Sequence, residues 1–117
     1  MQATSARLRL RCMAELLFAI SAEQAGTLAL KASEGFTQAQ PSAIAVIGHI
    51  LSFYFFGRSM RALPMGLAYA LWSGLGMLIA TAAGILCFCE QFTAVSALGV
   101  LMVIAGVCVL NLGSEAA

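Results

Sequence analysis

Charged and polar residues fall at four places along the chain and leave four long apolar stretches between them. The breaks lie at the N-terminal arginines, at Lys31 and Glu34, at Arg58 and Arg61, and at Glu90 with Gln91. The apolar stretches cover residues 12–30, 41–60, 64–88 and 94–112. A helix needs about 20 apolar residues to cross a membrane. The first, third and fourth stretches reach that length comfortably, and the second does so only if it begins at Pro41 and runs to Met60.

The pattern predicts helices rather than strands. The stretches are continuously apolar and do not alternate with polar residues. Four strands could not close a barrel in a membrane. Pro41 and Pro64 each fit the first turn of a helix, where a missing N–H group is not needed. We therefore expect an all-α integral membrane protein, in which residues 1–117 form a single four-helix domain.

Composition supports this fold class and excludes others. Hydrophobic residues make up 62% of the chain and charged residues 9%, whereas soluble domains have about 45–50% and about 25%. Such a chain has too few polar groups to cover a small soluble domain, and it is too apolar to be intrinsically disordered. A net charge of +1 gives no basic surface for nucleic acid. The lipid bilayer is the expected environment.

The arginines predict how the helices are oriented. With four spans, the side that holds both termini carries Arg7, Arg9, Arg11, Arg58 and Arg61, while Lys31 lies on the other side. Positive residues collect on the cytoplasmic side, so both termini are expected there, in a bacterial-type inner membrane. The N-terminus also resembles a secretory signal, but Glu15 interrupts its apolar run, which favours a retained helix.

The chemistry-bearing residues give no sign of an enzyme or a metal site. The cysteines, at positions 12, 87, 89 and 108, lack zinc-type spacing and are interpreted as small apolar residues. No cofactor motif is present in the sequence. We expect neither a catalytic residue nor a bound metal.

Glu23 is the informative residue, because it lies far from either end of the first stretch. It follows Arg11 by 12 positions and precedes Lys31 by 8, which is about 18 Å and 12 Å along a helix axis. An acidic residue this deep costs about 3 kcal/mol to insert, and such residues usually mark an ion pathway. The alternative is a protonated carboxyl that merely bonds a neighbouring helix, with Gln24 as its polar partner.

The other acidic residues have simpler explanations. Glu15 lies one turn from Arg11, so it can reach the membrane surface or pair with that arginine. Glu34 and Glu90 fall in predicted loops, where we expect them to be solvated.

Helical spacing selects the groups that could accompany Glu23. On its own helix these are Ala19, Gly26 and Thr27, at i−4, i+3 and i+4. Tyr69 and Trp72 share a face of the third helix, as His49 and Ser52 share one of the second. Aromatic rings beside a buried carboxylate would form a cage for an organic cation, whereas packing alone is the alternative role for these residues and for His49.

Two motifs carry a resemblance to a known family. The segment KASEGF at 31–36 follows the acidic first helix, and the run PMGLAYALWSGLG at 64–76 enters the third. Together with four short spans, these residues resemble the small multidrug resistance family from about residue 14 to residue 112. The resemblance implies an antiporter that exports quaternary ammonium and other lipophilic cations against protons, as an antiparallel dimer of four-helix subunits.

The resemblance also assigns roles to individual residues. Glu23 matches the family's membrane-embedded glutamate, which binds a proton or the substrate in turn, and Tyr69, Trp72 and Ser52 match positions around that site. Gly74 and Gly76 match the glycines where helix 3 bends. Gly99 and Gly106 match the small-residue stripe through which helix 4 dimerises, and a spacing of seven returns to one helix face.

Some features depart from the family pattern and leave alternatives open. His49 stands where drug exporters carry tyrosine, and it adds a second group that can titrate near neutral pH. The strong arginine bias resembles one half of a paired system with a paralogous four-helix subunit rather than a homodimer. A guanidinium or polyamine exporter, or a non-transporting partner subunit, is the alternative function.

Overall fold

The computed structural model describes the backbone of residues 2–116 and the side chains of residues 5–113. Over this range the chain forms α1 (Gln2–Ala32), α2 (Ala39–Ser59), α3 (Met65–Phe88) and α4 (Ala94–Ala116). Short turns join them, and the described residues contain no strand. The prediction of an all-α, four-helix chain is confirmed. Met1 and Ala117, the ends that were predicted to lie in the cytoplasm, fall outside the described residues.

The first helix is longer than the apolar stretch that predicted it. It has 31 residues, which corresponds to about 46 Å, more than the hydrocarbon core of about 30 Å requires. Its N-terminal turns contain Arg7, Arg9 and Arg11 rather than a separate polar segment. Arginine, leucine and alanine all favour helix, and neither glycine nor proline occurs before Gly26.

The four helices differ in how apolar they are. In the described chain α2, α3 and α4 are long and apolar enough to cross a membrane. The predicted short second stretch thus qualifies, because its helix begins at Ala39, two residues before Pro41. The first helix is less apolar than the other three, because Glu15, Glu23 and Gln24 lower its mean hydropathy.

Helices α1, α2 and α3 pack together, whereas the main contacts of α4 are with α3. The core lies toward the arginine end of α1. It consists of four α1 residues and three from the α2 and α3 region: Cys12, Leu16, Ala19, Ile20, Phe56, Leu63 and Ala68. The molecule is flat, with dimensions of 50 × 34 × 17 Å.

Glycines allow the closest approach between α1 and α2. A Cβ atom on Gly48 would lie 2.9 Å from the carbonyl oxygen of Ala22 and 3.0 Å from the Cα atom of Gly26. Helices in lipid commonly pack through such small residues. This crossing places the middle of α2 directly beside the part of α1 that carries Glu23.

Candidate functional site

The carboxyl group of Glu23 accepts two short hydrogen bonds from neutral groups on its own helix. The Thr27 hydroxyl donates to Oε1 at 2.6 Å, and the Gln24 side-chain amide donates to Oε2 at 2.6 Å. The first bond follows from the i, i+4 spacing. Gln24 is buried, whereas the Glu23 side chain retains 19% exposure. The carboxyl is therefore fixed in place without a permanent positive charge among its hydrogen-bond donors.

A cavity of about 240 Å³ lies between α1 and α3 beside this carboxyl. It is lined by three α1 residues and five α3 residues: Glu23, Gln24, Thr27, Trp72, Ser73, Gly76, Met77 and Ala80. Gly76 is needed here, since a Cβ atom on it would lie 3.0 Å from Gln24 Nε2 and 3.6 Å from Glu23 Oε2. The acid thus faces a space into which a ligand can fit.

Trp72 belongs to this cavity, but Tyr69 does not. The two rings lie near each other, with centroids 5.8 Å apart, and Phe56 packs edge-on against Trp72 at 5.0 Å. Tyr69 is exposed and lies outside the cavity lining. The indole nitrogen Nε1 of Trp72 is buried and finds no acceptor among the described residues. The structure therefore gives the two predicted aromatic residues different environments.

His49 reaches Glu23 from the second helix. Its Nε2 atom lies 3.9 Å from Glu23 Oε1, and its Nδ1 atom lies 2.7 Å from the carbonyl oxygen of Ala45. Gly26 makes room for this ring, because a Cβ atom there would lie 2.8 Å from Nδ1. The imidazole of His49 therefore occupies the space beside Gly26, next to the carboxyl group of Glu23.

Two other predicted site residues lie away from the cavity. Ala19 is fully buried in the core with Leu16. Ser52 is also fully buried, and its hydroxyl has no hydrogen-bond partner in the described part of the chain. Both contribute to the packing of α1 and α2 rather than to the cavity wall.

The four glycines predicted for bending and dimerisation differ in their surroundings. Gly76 faces the Glu23 cavity, and Gly74 faces α4, where a Cβ atom would lie 2.9 Å from Val107 Cγ2. For Gly99 and Gly106, no atom of the described chain lies within 4 Å of a built Cβ atom. The α4 glycines are therefore open in one subunit.

Glu15 has a partner set that sequence reasoning missed. Arg58 Nε donates to Oε2 at 3.0 Å, and Arg61 Nη2 donates to Oε1 at 2.9 Å. The predicted pairing with Arg11 is replaced by these contacts from the end of α2 and the following turn. The Glu15 side chain is only 12% exposed. The available signal was the close spacing of Arg58, in the last turn of α2, and Arg61, three residues later.

The opposite end of α1 carries a second ion pair. Lys31 Nζ lies 2.8 Å from Glu90 Oε2 and 5.6 Å from the centroid of the Phe88 ring. Glu90, predicted to be solvated, is thus half-exposed and paired. A further cavity of about 180 Å³ borders this pair and shares Gln24, Thr27 and Ala80 with the Glu23 cavity. The two cavities are therefore neighbours along α1 and α3.

Metal chemistry has no evident place in this arrangement. Within residues that the structure describes, no three His, Cys, Asp or Glu side chains come together as a possible metal site. An acid, two neutral hydrogen-bond donors and an indole line one cavity, and the imidazole of His49 approaches the acid from α2, outside that lining. These groups can bind a proton or an organic cation.

Comparisons with known proteins place the chain beside drug-resistance proteins. A family model described as Small Multidrug Resistance protein matches residues 13–104. The quaternary ammonium compound-resistance protein QacE of Escherichia coli is 45% identical over 101 residues, which cover 86% of this chain and 92% of that protein. The multidrug resistance protein EbrA of Bacillus subtilis is 40% identical over 96 residues, covering 82% and 91%.

A staphylococcal relative extends the same group. The quaternary ammonium compound-resistance protein QacH of Staphylococcus saprophyticus is 36% identical over 96 residues, which cover 82% of this chain and 90% of that protein. The similarity therefore spans the described cavity and all four helices.

Proposed function

The chain belongs to the small multidrug resistance family, and from that premise we propose that it exports quaternary ammonium and other lipophilic cations in exchange for protons. Glu23 binds a proton or the cation in turn. The activity is transport across the inner membrane and not catalysis. Three apolar helices and family membership make the chain a multi-pass membrane protein.

One observation carries this proposal: a mostly buried carboxyl faces a cavity while its hydrogen-bond donors, Thr27 and Gln24, are neutral. Neutral donors orient the carboxylate without neutralising it. A cation that enters the cavity can therefore provide the missing positive charge. A proton on the same carboxyl also removes the negative charge, so the two ligands compete.

The position of Trp72 favours aromatic and quaternary ammonium cations as the substrates. Its ring lines the cavity that Glu23 faces. An organic cation over an indole face gains about 0.5–2 kcal/mol, and the gain is greater where water is excluded. This term favours apolar organic cations over strongly hydrated inorganic ones.

The size of the cavity and the thickness of the subunit support a site that two subunits form together. The cavity of about 240 Å³ is smaller than the 300–1,000 Å³ that is usual for ligand pockets. The subunit is also only 17 Å thick, and the open α4 glycines offer a surface for close helix contact. We propose that a second four-helix subunit, either this chain or a paralogue, packs there and contributes a second half to the site.

Charge asymmetry supports the paired arrangement as a second candidate. Arg58 and Arg61 pair with Glu15 on the N-terminal half of α1, whereas Lys31, which pairs with Glu90, lies in the last turn of α1. The positive-inside rule then places both termini in the cytoplasm. A subunit with one fixed orientation needs an oppositely oriented partner to form an antiparallel dimer. Uptake by this chain alone in proteoliposomes would argue against an obligatory partner.

The proposed exchange is tested by Glu23→Gln and Glu23→Asp in proteoliposomes with an imposed pH gradient. Ethidium uptake should fall to the level of protein-free vesicles in the Gln variant, because an amide cannot exchange a proton. The Asp variant should transport with a shifted pH optimum. Glu34→Gln, in the exposed turn after α1, is the matched control and should transport normally. Full gradient-driven uptake by Glu23→Gln would refute the proposal.

A further inference from the structure

The only histidine in the sequence has one nitrogen assigned by its hydrogen bond. His49 Nδ1 lies 2.7 Å from the carbonyl oxygen of Ala45. A carbonyl oxygen can only accept a hydrogen bond, so Nδ1 carries a hydrogen in this arrangement. The remaining nitrogen, Nε2, faces Glu23 Oε1 at 3.9 Å. Any further proton on His49 is therefore held at Nε2, toward the acid.

The Glu23–His49 pair can hold one proton in two ways. The proton either makes His49 an imidazolium opposite a carboxylate, or it stays on the carboxyl opposite a neutral imidazole. Both arrangements have no net charge.

We propose that His49 is a second proton-binding group of the site, and that a bound organic cation displaces the proton from His49 Nε2. This inference rests on the proposed function of Glu23. When the cation occupies the carboxylate, an imidazolium would place a second positive charge beside it. Repulsion between two cations is strong where water is partly excluded. The proton leaves from Nε2 to solvent, since the His49 side chain is 29% exposed, while the bond from Nδ1 to Ala45 is kept.

The surroundings of His49 leave Glu23 as its main electrostatic partner. From α1, Glu23 is the acid within ion-pair distance among the described residues. On its own helix, the neighbouring cavity around His49 is apolar and includes Val46, Ile50 and Phe53. On the α1 side the ring packs against Gly26 so closely that this residue has no room for a Cβ atom. The pair is thus held together by the crossing of two helices.

A single histidine makes the proposal directly measurable. The full chain, purified without a histidine tag and placed in lipid, is labelled with ¹⁵N-histidine, so that every histidine signal reports His49. We expect an imidazolium signal that converts, on saturation with ethidium, to a neutral ring with its proton on Nδ1. Ethidium binding is followed in the same samples by fluorescence. An unchanged charge state under saturating ethidium, or a neutral ring with its proton on Nε2, would overturn the proposal.

Variants separate this inference from the proposed function. The wild type should bind ethidium several-fold more tightly as the pH rises through about 5–8, the range in which histidine changes its charge. His49→Gln should make that dependence shallower and leave the part that arises from proton competition at Glu23, and Gly26→Ala should do the same by displacing the ring. Gly57→Ala, a helix position with open space around it, should not. Equal profiles in His49→Gln and wild type would overturn the role of His49, whereas coupled uptake by Glu23→Gln would overturn the proposed function.

Discussion

Two glutamates on the same helix have similar burial and opposite neighbours. Glu15 is 12% exposed, and both of its oxygens accept bonds from arginine. Glu23 is 19% exposed, and its oxygens accept bonds from Thr27 and Gln24. They are eight residues apart, which is about 12 Å along the helix. The comparison indicates that burial alone does not make an acid functional: a permanent countercharge makes a structural tie, and neutral donors leave the charge available.

The position of each glutamate along α1 explains its neighbours. Glu15 lies beside the end of α2, where Arg58 and the following turn come within reach. Glu23 lies where glycines bring α2 and α3 against α1, namely Gly48 and Gly76. Beside Glu23 the neighbouring helices carry small residues, which leave space for a cavity. Beside Glu15 they carry long charged side chains. The same helix therefore packs one glutamate beside the charged end of α2 and the other beside its small-residue middle.

The largest effect should come from giving Glu23 a permanent countercharge. Gln24 already donates to Oε2 at 2.6 Å, so Gln24→Lys places an ammonium at the carboxylate and makes it resemble Glu15. We expect saturable ethidium binding to fall by about 100-fold, or nearly 3 kcal/mol. Fluorescence titration in lipid nanodiscs measures it, with Gln24→Met as the uncharged control. Unaltered affinity in the Lys variant would mean that a fixed charge does not compete with the ligand.

The reverse change removes the countercharges from Glu15. Replacing both Arg58 and Arg61 by Gln leaves a mostly buried carboxylate without its ion pairs. Because the carboxylate of Glu15 stays mostly buried while it loses both charged partners, we expect the double variant to be less stable than the wild type. Unfolding by titration with SDS in mixed micelles measures the loss. Arg9→Gln is the control, and equal stability of all three proteins would contradict the structural role.

The smallest effect should separate the two aromatic residues near Glu23. Trp72 lines the cavity and Tyr69 does not. Trp72→Ala should weaken ethidium binding by about tenfold, which corresponds to about 1.4 kcal/mol of cation–π attraction, and should affect tetramethylammonium less. Tyr69→Ala should change both affinities by less than Trp72→Ala does. Equal losses in the two variants, or equal losses for the two cations, would contradict the cage.

Much of the fold follows from the hydropathy pattern, and its errors have physical causes. Four apolar stretches predicted four helices because a lipid-facing helix has to be apolar nearly all round. The pattern understated α1 because Arg7–Arg11 favour helix as strongly as apolar residues do. The pattern shows that α1 is the least apolar helix. It could not indicate that α2 and α3 both pack against α1 and shelter its polar residues.

The candidate site could be predicted only where spacing on one helix decides contact. Thr27 was found because i, i+4 residues meet on any helix. His49 and Trp72 depend on how α2 and α3 are rotated against α1, which is set by close contacts at Gly26, Gly48 and Gly76. The arginine partners of Glu15 were missed for the same reason, since they arrive from another helix and its turn. The roles of Glu23, His49 and Trp72 as site residues are predictions that the variants above test.

The central claim is that one carboxyl binds either a proton or a cation. It is tested most directly by adding ethidium to the purified protein in lipid nanodiscs in a weakly buffered solution and recording the pH. The account predicts that protons are released in proportion to bound ethidium, and that Glu23→Gln releases none. Ethidium binding by the wild type without proton release, or the same release from Glu23→Gln, would contradict it.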